Sequence, residues 1–196
     1  LMFPHHEAEI AQMESISGKK PFVKFWMHSG FLVNKHAKMS KSLGNFMTAH
    51  EALQQYSPET LRFYFLSSHY RSPLDYSDQT LAGAGAAIQR IGEFKRRIDR
   101  FEDEMPSQSN PAISAMIRNA RSAFEEAMDD DFNGPSALAT LFELIKELNP
   151  LIMSRTMDQE SAREVIAWLD EIHQVLGIVP QKMDPLPSMI QKLVDQ

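Results

Sequence analysis

The sequence predicts a mainly α protein, in which a short α/β region is followed by an antiparallel helical bundle. Two observations predict this fold class. Residues 22–28 alternate in polarity and are rich in aromatic and β-branched side chains, which is typical of a strand, and residues 31–33 predict a second short strand. From about residue 45 onward, apolar residues recur at helical spacing and the connections are short, so consecutive helices should pack antiparallel.

The first residues predict a helix that starts at Pro4 and continues to Glu14, because proline is tolerated in the first turn of a helix. On this helix His5 and Glu9 are four residues apart, so their side chains share a face and could bind one metal ion. The alternative is a polar first turn whose acidic residues are favoured by the helix dipole.

Start signals divide the middle of the chain into three helices. A capping box at residues 48–51 predicts one helix, and Ser57-Pro58 predicts the next, with Leu61, Phe65 and Leu66 on its buried stripe. A long helix is predicted over residues 78–101. Its apolar positions in helical spacing are Leu81, Ile88, Ile91 and Ile98.

The remaining helices are separated by turns rich in proline, glycine or acidic residues. Residues 105–111 are predicted to be a linker, residues 112–128 and 136–153 two helices around an acidic turn, and residues 158–176 a helix that Gly177 ends as a left-handed cap. Residues 179–187 are expected to be irregular, with a last short helix beginning near residue 188.

The composition, with 43% hydrophobic residues, is that of a globular chain that can bury a substantial core. The chain has no cysteine and therefore no disulfide framework, and no apolar run approaches the roughly 20 residues that span a bilayer. We therefore expect a cytoplasmic protein without a membrane partner.

The net charge of −6 argues against a general nucleic-acid binder, but the charge is uneven. Residues 1–100 carry 13 Lys and Arg against 9 Asp and Glu, whereas residues 101–196 carry 7 against 17. An RNA-contacting surface is therefore expected in the first half. Its candidates are Arg62, Arg71, Lys95, Arg96, Arg97 and Arg100. The alternative for the basic run 95–100 is a solvated helix face.

Two residues at the end of the first predicted strand have different expected roles. Trp26 is predicted to pack in the core, because aromatic residues on strands are mostly buried. His28 is a candidate for an active-site contact, because it is a polar residue that ends a strand just before Gly30.

The string Lys38-Met39-Ser40-Lys41-Ser42-Leu43-Gly44-Asn45 predicts a loop that holds polyphosphate. Two ammonium groups three residues apart, with hydroxyls beside them, can converge on one anionic group if the backbone turns. Gly44 and Asn45 supply the tight or left-handed backbone that such a turn needs. A generic Lys-x-x-Lys sequence would instead be a solvated basic loop.

Several motifs together resemble the cysteinyl-tRNA synthetases, a family of class I aminoacyl-tRNA synthetases. The resemblance covers residues 1 to about 150 well and the remainder loosely. The matching stretches are Phe3-Pro4-His5-His6-Glu7, Glu9-Ile10-Ala11-Gln12, residues 22–30, the lysine string 38–45, residues 56–63, residues 68–74 and Asp129-Asp130-Asp131-Phe132-Asn133. Ala8 departs from the asparagine that is common in the family.

The resemblance implies a division of the chain into four parts. Residues 1–45 would be the end of a Rossmann-like α/β catalytic domain, residues 46–104 a region that contacts the tRNA stem, residues 105–178 a bundle leading toward the anticodon-binding region, and residues 179–196 an irregular, truncated tail. The chain shows no His-Ile-Gly-His-type nucleotide motif. It is therefore expected to be the C-terminal portion of a synthetase and to be inactive alone.

The activity that the resemblance implies is the ATP-dependent activation of cysteine and its transfer to tRNA. Lys38 and Lys41 would be catalytic, and they would bind ATP together with Ser40 and His28. His5 and Glu9 would bind one zinc ion whose thiolate ligands lie upstream.

 

The protein would be a monomer that binds tRNA, cysteine and ATP. Magnesium would accompany the ATP. A zinc ion suits the selection of cysteine, because a substrate thiolate is a soft, charged ligand and the hydroxyl of serine is neither. His5 and Glu9 would be only half of that zinc site.

Two alternatives to the tRNA ligase stay open at this point. One is a cysteine ligase of mycothiol synthesis, which would use the same activation chemistry but transfer cysteine to an amino-sugar. The other is a non-catalytic tRNA-binding module, which the missing nucleotide motif would permit.

Overall fold

A computed structural model of the protein describes residues 2–34, 37–38 and 47–181. The described elements follow in chain order as a π-helical turn (Met2–His6), α1 (Glu7–Ser17), β1 (Leu32–Asn34), β2 (Ala37–Lys38), α2 (Ala49–Gln55), α3 (Pro58–Leu66), β3 (Leu74–Asp75), α4 (Asp78–Phe101), a 3₁₀ turn (Glu102–Glu104), α5 (Pro111–Asp129), α6 (Gly134–Met153) and α7 (Gln159–Leu176). The predicted mainly α fold is confirmed. The short helix expected near residue 188 lies outside the described residues.

The three strands form one small sheet in the order β2-β1-β3. β1 and β2 are antiparallel, with Val33 opposite Lys38, and β1 and β3 are parallel, with Leu32 opposite Leu74. The sequence did not predict β3, because the whole chain after about residue 45 was expected to be helical. A two-residue strand has no periodicity to read, so it is defined only by the neighbour to which it bonds.

The strand predicted at residues 22–28 was also wrong, because these residues are irregular in the structure. Their alternating pattern supplies two faces, but a strand also needs a neighbour that accepts and donates its backbone hydrogen bonds. Within the described ranges, the sheet pairs only β1, β2 and β3. The prediction of a strand at residues 31–33 was confirmed with a shift of one residue.

The predicted helix starts are confirmed by their caps. The Thr48 hydroxyl accepts a hydrogen bond from the Glu51 amide at 3.1 Å, and the Glu51 carboxylate accepts one from the Thr48 amide at 2.7 Å. Ser57 caps α3 by accepting from the amide of Thr60. At the other end of the bundle, Gly177 ends α7 with a φ of 66°, as predicted.

The buried face of α3 differs from the predicted one. Thr60, Phe63 and Tyr64 are buried, whereas Phe65 is 52% exposed. The segment is apolar around most of its circumference, so its pattern does not fix which face points inward. Tyr64 can be buried because its hydroxyl donates a hydrogen bond to the carbonyl of Asp75 at 3.0 Å, and this burial raises the pKa of Tyr64.

Helices α4 to α7 enclose the main apolar core. The predicted buried positions of α4 are confirmed, since Leu81 and Ile91 are fully buried. Phe124 of α5 and Trp168 of α7 meet edge to face, with ring centroids 5.9 Å apart. Each fully buried leucine or isoleucine of this core contributes about 1.5–3 kcal/mol through the removal of its side chain from water. None of the helices in the described ranges is long and apolar enough to cross a membrane.

The linker predicted at residues 105–111 is held against the start of α7. Met105 is buried, the Asn110 amide donates to the Asp158 carboxylate at 3.2 Å, and the Gln159 amide donates to the Pro106 carbonyl at 3.0 Å. These contacts fix α4 relative to α5 and α7, so the linker is part of the bundle.

Candidate functional site

The small sheet leads into the predicted polyphosphate loop. β2 ends at Lys38, whose backbone lies opposite Val33 of β1. Ser40 and Lys41 lie outside the described residues, and so does the side chain of Lys38. The roles predicted for these three residues therefore stay predictions.

Tyr76 connects the two flanks of this loop. Its amide donates a hydrogen bond to the Val33 carbonyl of β1 at 2.7 Å, and its hydroxyl donates to the sulfur of Met47 at 2.6 Å. Met47 directly precedes Thr48, the cap of α2. Sequence reasoning missed Tyr76, because nothing in its local sequence indicates a partner 29 residues away.

The two predicted zinc ligands lie on helical backbone at the start of the chain. His5 belongs to the turn Met2–His6 and Glu9 to α1, and both are exposed. In the part of the chain that the structure describes, no group of three or more His, Asp or Glu side chains could hold a metal ion. His5 and Glu9 therefore offer two donors, which is half of a tetrahedral site.

A stack of three aromatic rings lies next to these residues. The His6 ring packs on the Trp26 ring with centroids 4.0 Å apart and on the His28 ring with centroids 5.0 Å apart. Trp26 is 39% exposed, so the prediction that it packs in the core was wrong. His6 was missed, because an isolated sequence does not show which ring it will meet.

The predicted active-site residue His28 has a buried ring nitrogen. Its Nε2 atom is buried and has no hydrogen-bond partner among the described residues. A buried imidazole nitrogen without a partner loses the hydrogen bond that it makes in water, so a ligand that restores this bond would be favoured.

The segment after His28 is fixed by a close backbone contact. The Gly30 amide donates to the Tyr70 carbonyl at 2.7 Å. A Cβ atom on Gly30 would lie 2.1 Å from the carbonyl oxygen of Ser72, which is far inside van der Waals contact. Only glycine therefore fits at this position without a shift of the backbone.

The same loop is tied to the turn between α5 and α6 through Asp131. Arg71 donates to both carboxylate oxygens of Asp131, at 2.7 and 3.1 Å, and the Tyr70 hydroxyl donates at 2.8 Å. His69 lies 3.8 Å from the same carboxylate. The hydrogen bonds from Arg71 and Tyr70 lower the pKa of Asp131 to about 2.

A second contact supports this junction. Gly134 at the start of α6 lies so close to α3 that a Cβ atom there would be 2.7 Å from the Leu66 carbonyl oxygen. Residues 66–71 are thus held against the α5–α6 turn at both ends. Backbone and side-chain contacts therefore connect His28, through Gly30 and Tyr70, to Asp131.

Three of the basic residues predicted to contact RNA are engaged by other parts of the protein. Arg71 is engaged by Asp131, and Lys95 pairs with Asp170 of α7 at 3.1 Å. Arg97 instead donates to Asn149 of α6 at 2.8 Å. Consecutive residues of a helix point about 100° apart, so the run 95–97 is divided among different neighbours.

Comparisons with known proteins match two parts of the chain to families. Residues 1–86 match the family described as tRNA synthetases class I (C) catalytic domain, and residues 123–180 match the DALR domain. The chain is 41% identical to a cysteine–tRNA ligase of Shouchella clausii over all of its own length and 42% of that protein. It is 46% identical to a cysteine–tRNA ligase of Trichlorobacter lovleyi, over 91% of this chain and 38% of that protein. The chain belongs to the class I tRNA synthetase family.

A solved structure shows the same fold in a more distant synthetase. The LeuRS of Agrobacterium radiobacter, in a ternary complex with tRNA and LeuAMS, aligns with a TM-score of 0.64 and 18% identity, over 95% of this chain and 27% of that one. The present synthetase chain spans about two fifths of the length of the curated relatives it matches.

The family matches show which domains meet at the contact between Arg71 and Asp131. His28, Gly30 and Arg71 lie within the residues that match the synthetase catalytic domain, and Asp131 lies within those that match the DALR domain. In this synthetase chain the ion pair of Arg71 with Asp131 therefore joins two family domains.

Proposed function

We propose that the protein serves as a cysteine–tRNA ligase, which activates cysteine with ATP and transfers it to tRNA. The observation that carries this proposal is the match of the chain, along its whole length, to proteins of that name. The lysine string 38–45 lies inside the residues that match the catalytic domain, where such a reaction needs cations.

The proposed reaction has two steps. In the first, a carboxylate oxygen of cysteine attacks the α-phosphorus of ATP, a new P–O bond forms, and pyrophosphate leaves with the electrons of the broken bond. In the second, a hydroxyl of the terminal adenosine of tRNA attacks the activated carbonyl carbon, loses its proton, and releases AMP.

Lys38 and Lys41 are proposed to act in the first step. Negative charge accumulates on the departing pyrophosphate, so an ammonium group that meets this charge in the transition state lowers the barrier more than one that binds ATP equally in both states. Ser40 would add a hydrogen bond from the loop. Magnesium bound to the phosphates would share this charge.

The aromatic stack is proposed to form a wall of the nucleotide site. His28 keeps a buried Nε2 atom without a partner in the described part of the chain, and this atom would contact ATP. His6 packs on both His28 and Trp26, so it would hold the His28 ring in one orientation.

His5 and Glu9 are proposed as two ligands of a zinc ion. Their nitrogen and oxygen donors suit zinc, but the chain has no cysteine and its described residues do not complete the site. No step of the reaction is assigned to the metal.

The domain division 1–45, 46–104, 105–178 and 179–196 remains part of the proposal, as do a cytoplasmic location and a monomeric state. The amino-sugar ligase is the weaker candidate, because the relatives that match the whole chain are named for transfer to tRNA.

Cysteine-dependent exchange of pyrophosphate into ATP, followed by cysteinylation of tRNA, tests the proposal in the full-length protein. Exchange with cysteine but not with serine is expected, and transfer to tRNA should follow. Exchange without transfer to any tRNA, together with transfer to an amino-sugar, would favour the other ligase. The 196-residue chain alone is expected to show no exchange.

A further inference from the structure

An open groove with a volume of about 550 Å³ lies between α4 and α6, and apolar as well as charged side chains line it. Arg90, Glu93 and Arg97 line it from α4, and Lys146 and Asn149 line it from α6. Three cations and one carboxylate thus face one another across the groove, in a chain whose net charge is −6.

The cations of the groove are poorly neutralised by the protein. Arg90 and Lys146 form no ion pair with any described residue, and the carboxylate of Glu93 reaches only Arg97. Elsewhere on α4, Lys95 has a carboxylate partner at 3.1 Å in Asp170. Like charges that face each other without counterions repel, so an anion that enters the groove would be favoured.

Two of the cations are held in place before any ligand arrives. The Arg97 guanidinium donates to the Asn149 side-chain oxygen at 2.8 Å and lies 3.8 Å from Glu93. The Arg90 guanidinium stacks over the Phe142 ring at 4.8 Å. Each guanidinium has five N–H donors, so most of them stay available for phosphate oxygens.

The spacing of the cations favours a strand of phosphates over a single anion. Arg90 and Arg97 are seven residues apart on α4, which is about 10.5 Å along the helix axis. One phosphate group cannot bridge that distance, but successive phosphates of a nucleic-acid strand can contact both residues. Lys146 on α6 adds a third contact from the opposite wall.

We infer that the α4–α6 groove binds the phosphate backbone of an RNA strand. The inference rests on the proposed function, because that function supplies tRNA as the RNA. The groove would position the RNA without reading its sequence, since the contacts are made to phosphates. Neither Arg90 nor Lys146 belongs to the basic run predicted from the sequence.

The test measures binding of labelled tRNA by the full-length protein at several salt concentrations. Lys146→Ala and the double variant Arg90→Ala/Lys146→Ala are compared with a control of equal charge, Arg118→Ala/Arg163→Ala, whose residues are exposed outside the groove. Binding weakens as salt rises, so the slope of log K against log salt is negative, and each lost phosphate contact makes its magnitude smaller by about 1. We therefore expect the magnitude to decrease by about 1 for the single variant and by about 2 for the double variant. The control should change the slope much less.

The outcomes separate this inference from the proposed function. Equal slopes for the groove variants and their control would show that the groove does not bind RNA, and an intact exchange reaction would then still support the proposed ligase activity. Slopes that differ as expected, without cysteine-dependent exchange, would support RNA binding by the groove and contradict the ligase activity. Lys146 is exposed and its side chain forms no ion pair or hydrogen bond with a described residue, so Lys146→Ala is expected to leave the thermal unfolding midpoint unchanged, which is measured alongside binding.

Discussion

Replacing Gly30 with alanine should disrupt the contact between the segment that follows His28 and the loop 70–73. The added Cβ atom would lie 2.1 Å from the Ser72 carbonyl oxygen, and ordinary contact begins at 3.4 Å. The backbone must therefore separate by about 1.3 Å. Such a shift would break the hydrogen bond from the Gly30 amide to the Tyr70 carbonyl and disturb the pairing of β1 with β3.

Overpacking of this kind costs about 1–3 kcal/mol of unfolding free energy. Because His28 lies two residues before Gly30, a displacement of about 1 Å should also lower the activation of cysteine by roughly a hundredfold. Chemical denaturation measures the first effect, and cysteine-dependent pyrophosphate exchange in the full-length protein measures the second.

Gly83→Ala is the matched control. Nothing lies within 4 Å of a Cβ atom at this position of α4, so alanine should stabilise the helix by about 0.5–1 kcal/mol. If Gly30→Ala were as stable and as active as the wild type, the close approach of Gly30 to Ser72 could not be what fixes the segment at His28.

Three further predictions concern the loop, the junction and the core. Lys41→Ala should lower the adenylation rate of the full-length protein by roughly a hundredfold, measured by pre-steady-state kinetics, because it removes charge that meets the departing pyrophosphate. Asp131 has its pKa lowered, so its contribution to stability is present above about pH 4 and is lost as the pH falls toward 2. The unfolding midpoint of the wild type should therefore fall more over this range than that of Asp131→Asn. Phe63→Ala should cost about 3–5 kcal/mol because Phe63 is buried, whereas Phe65→Ala should cost much less.

Each of these predictions has an outcome that contradicts it. An unchanged adenylation rate with weaker ATP binding would mean that Lys41 binds the phosphates of ATP in the ground state and does not stabilise the transition state. Equal acid sensitivity of the wild type and Asp131→Asn, with Asp129→Asn as the control, would mean that the ion pair with Arg71 adds no stability. Similar losses for Phe63→Ala and Phe65→Ala would contradict the observed orientation of α3.

The sequence alone determined the features that depend on neighbouring residues. The start of α2 follows from Thr48 and Glu51, and the extent of α4 and the end of α7 at Gly177 follow from capping chemistry and periodicity. The lysine string 38–45 and the spacing of His5 and Glu9 also lie within single stretches, so the family could be predicted from them.

Only the tertiary structure decided the features that need a partner distant in the chain. Residues 22–28 have the pattern of a strand but no neighbour to pair with in the described ranges, and α3 could have buried either of two apolar faces. Asp131 and Arg71 are 60 residues apart, and neither has a local signal for the other. Hydrogen bonds within a helix turn are set by adjacent residues, whereas strand pairing, the choice of buried face and long-range ion pairs depend on which surfaces meet after the chain has folded.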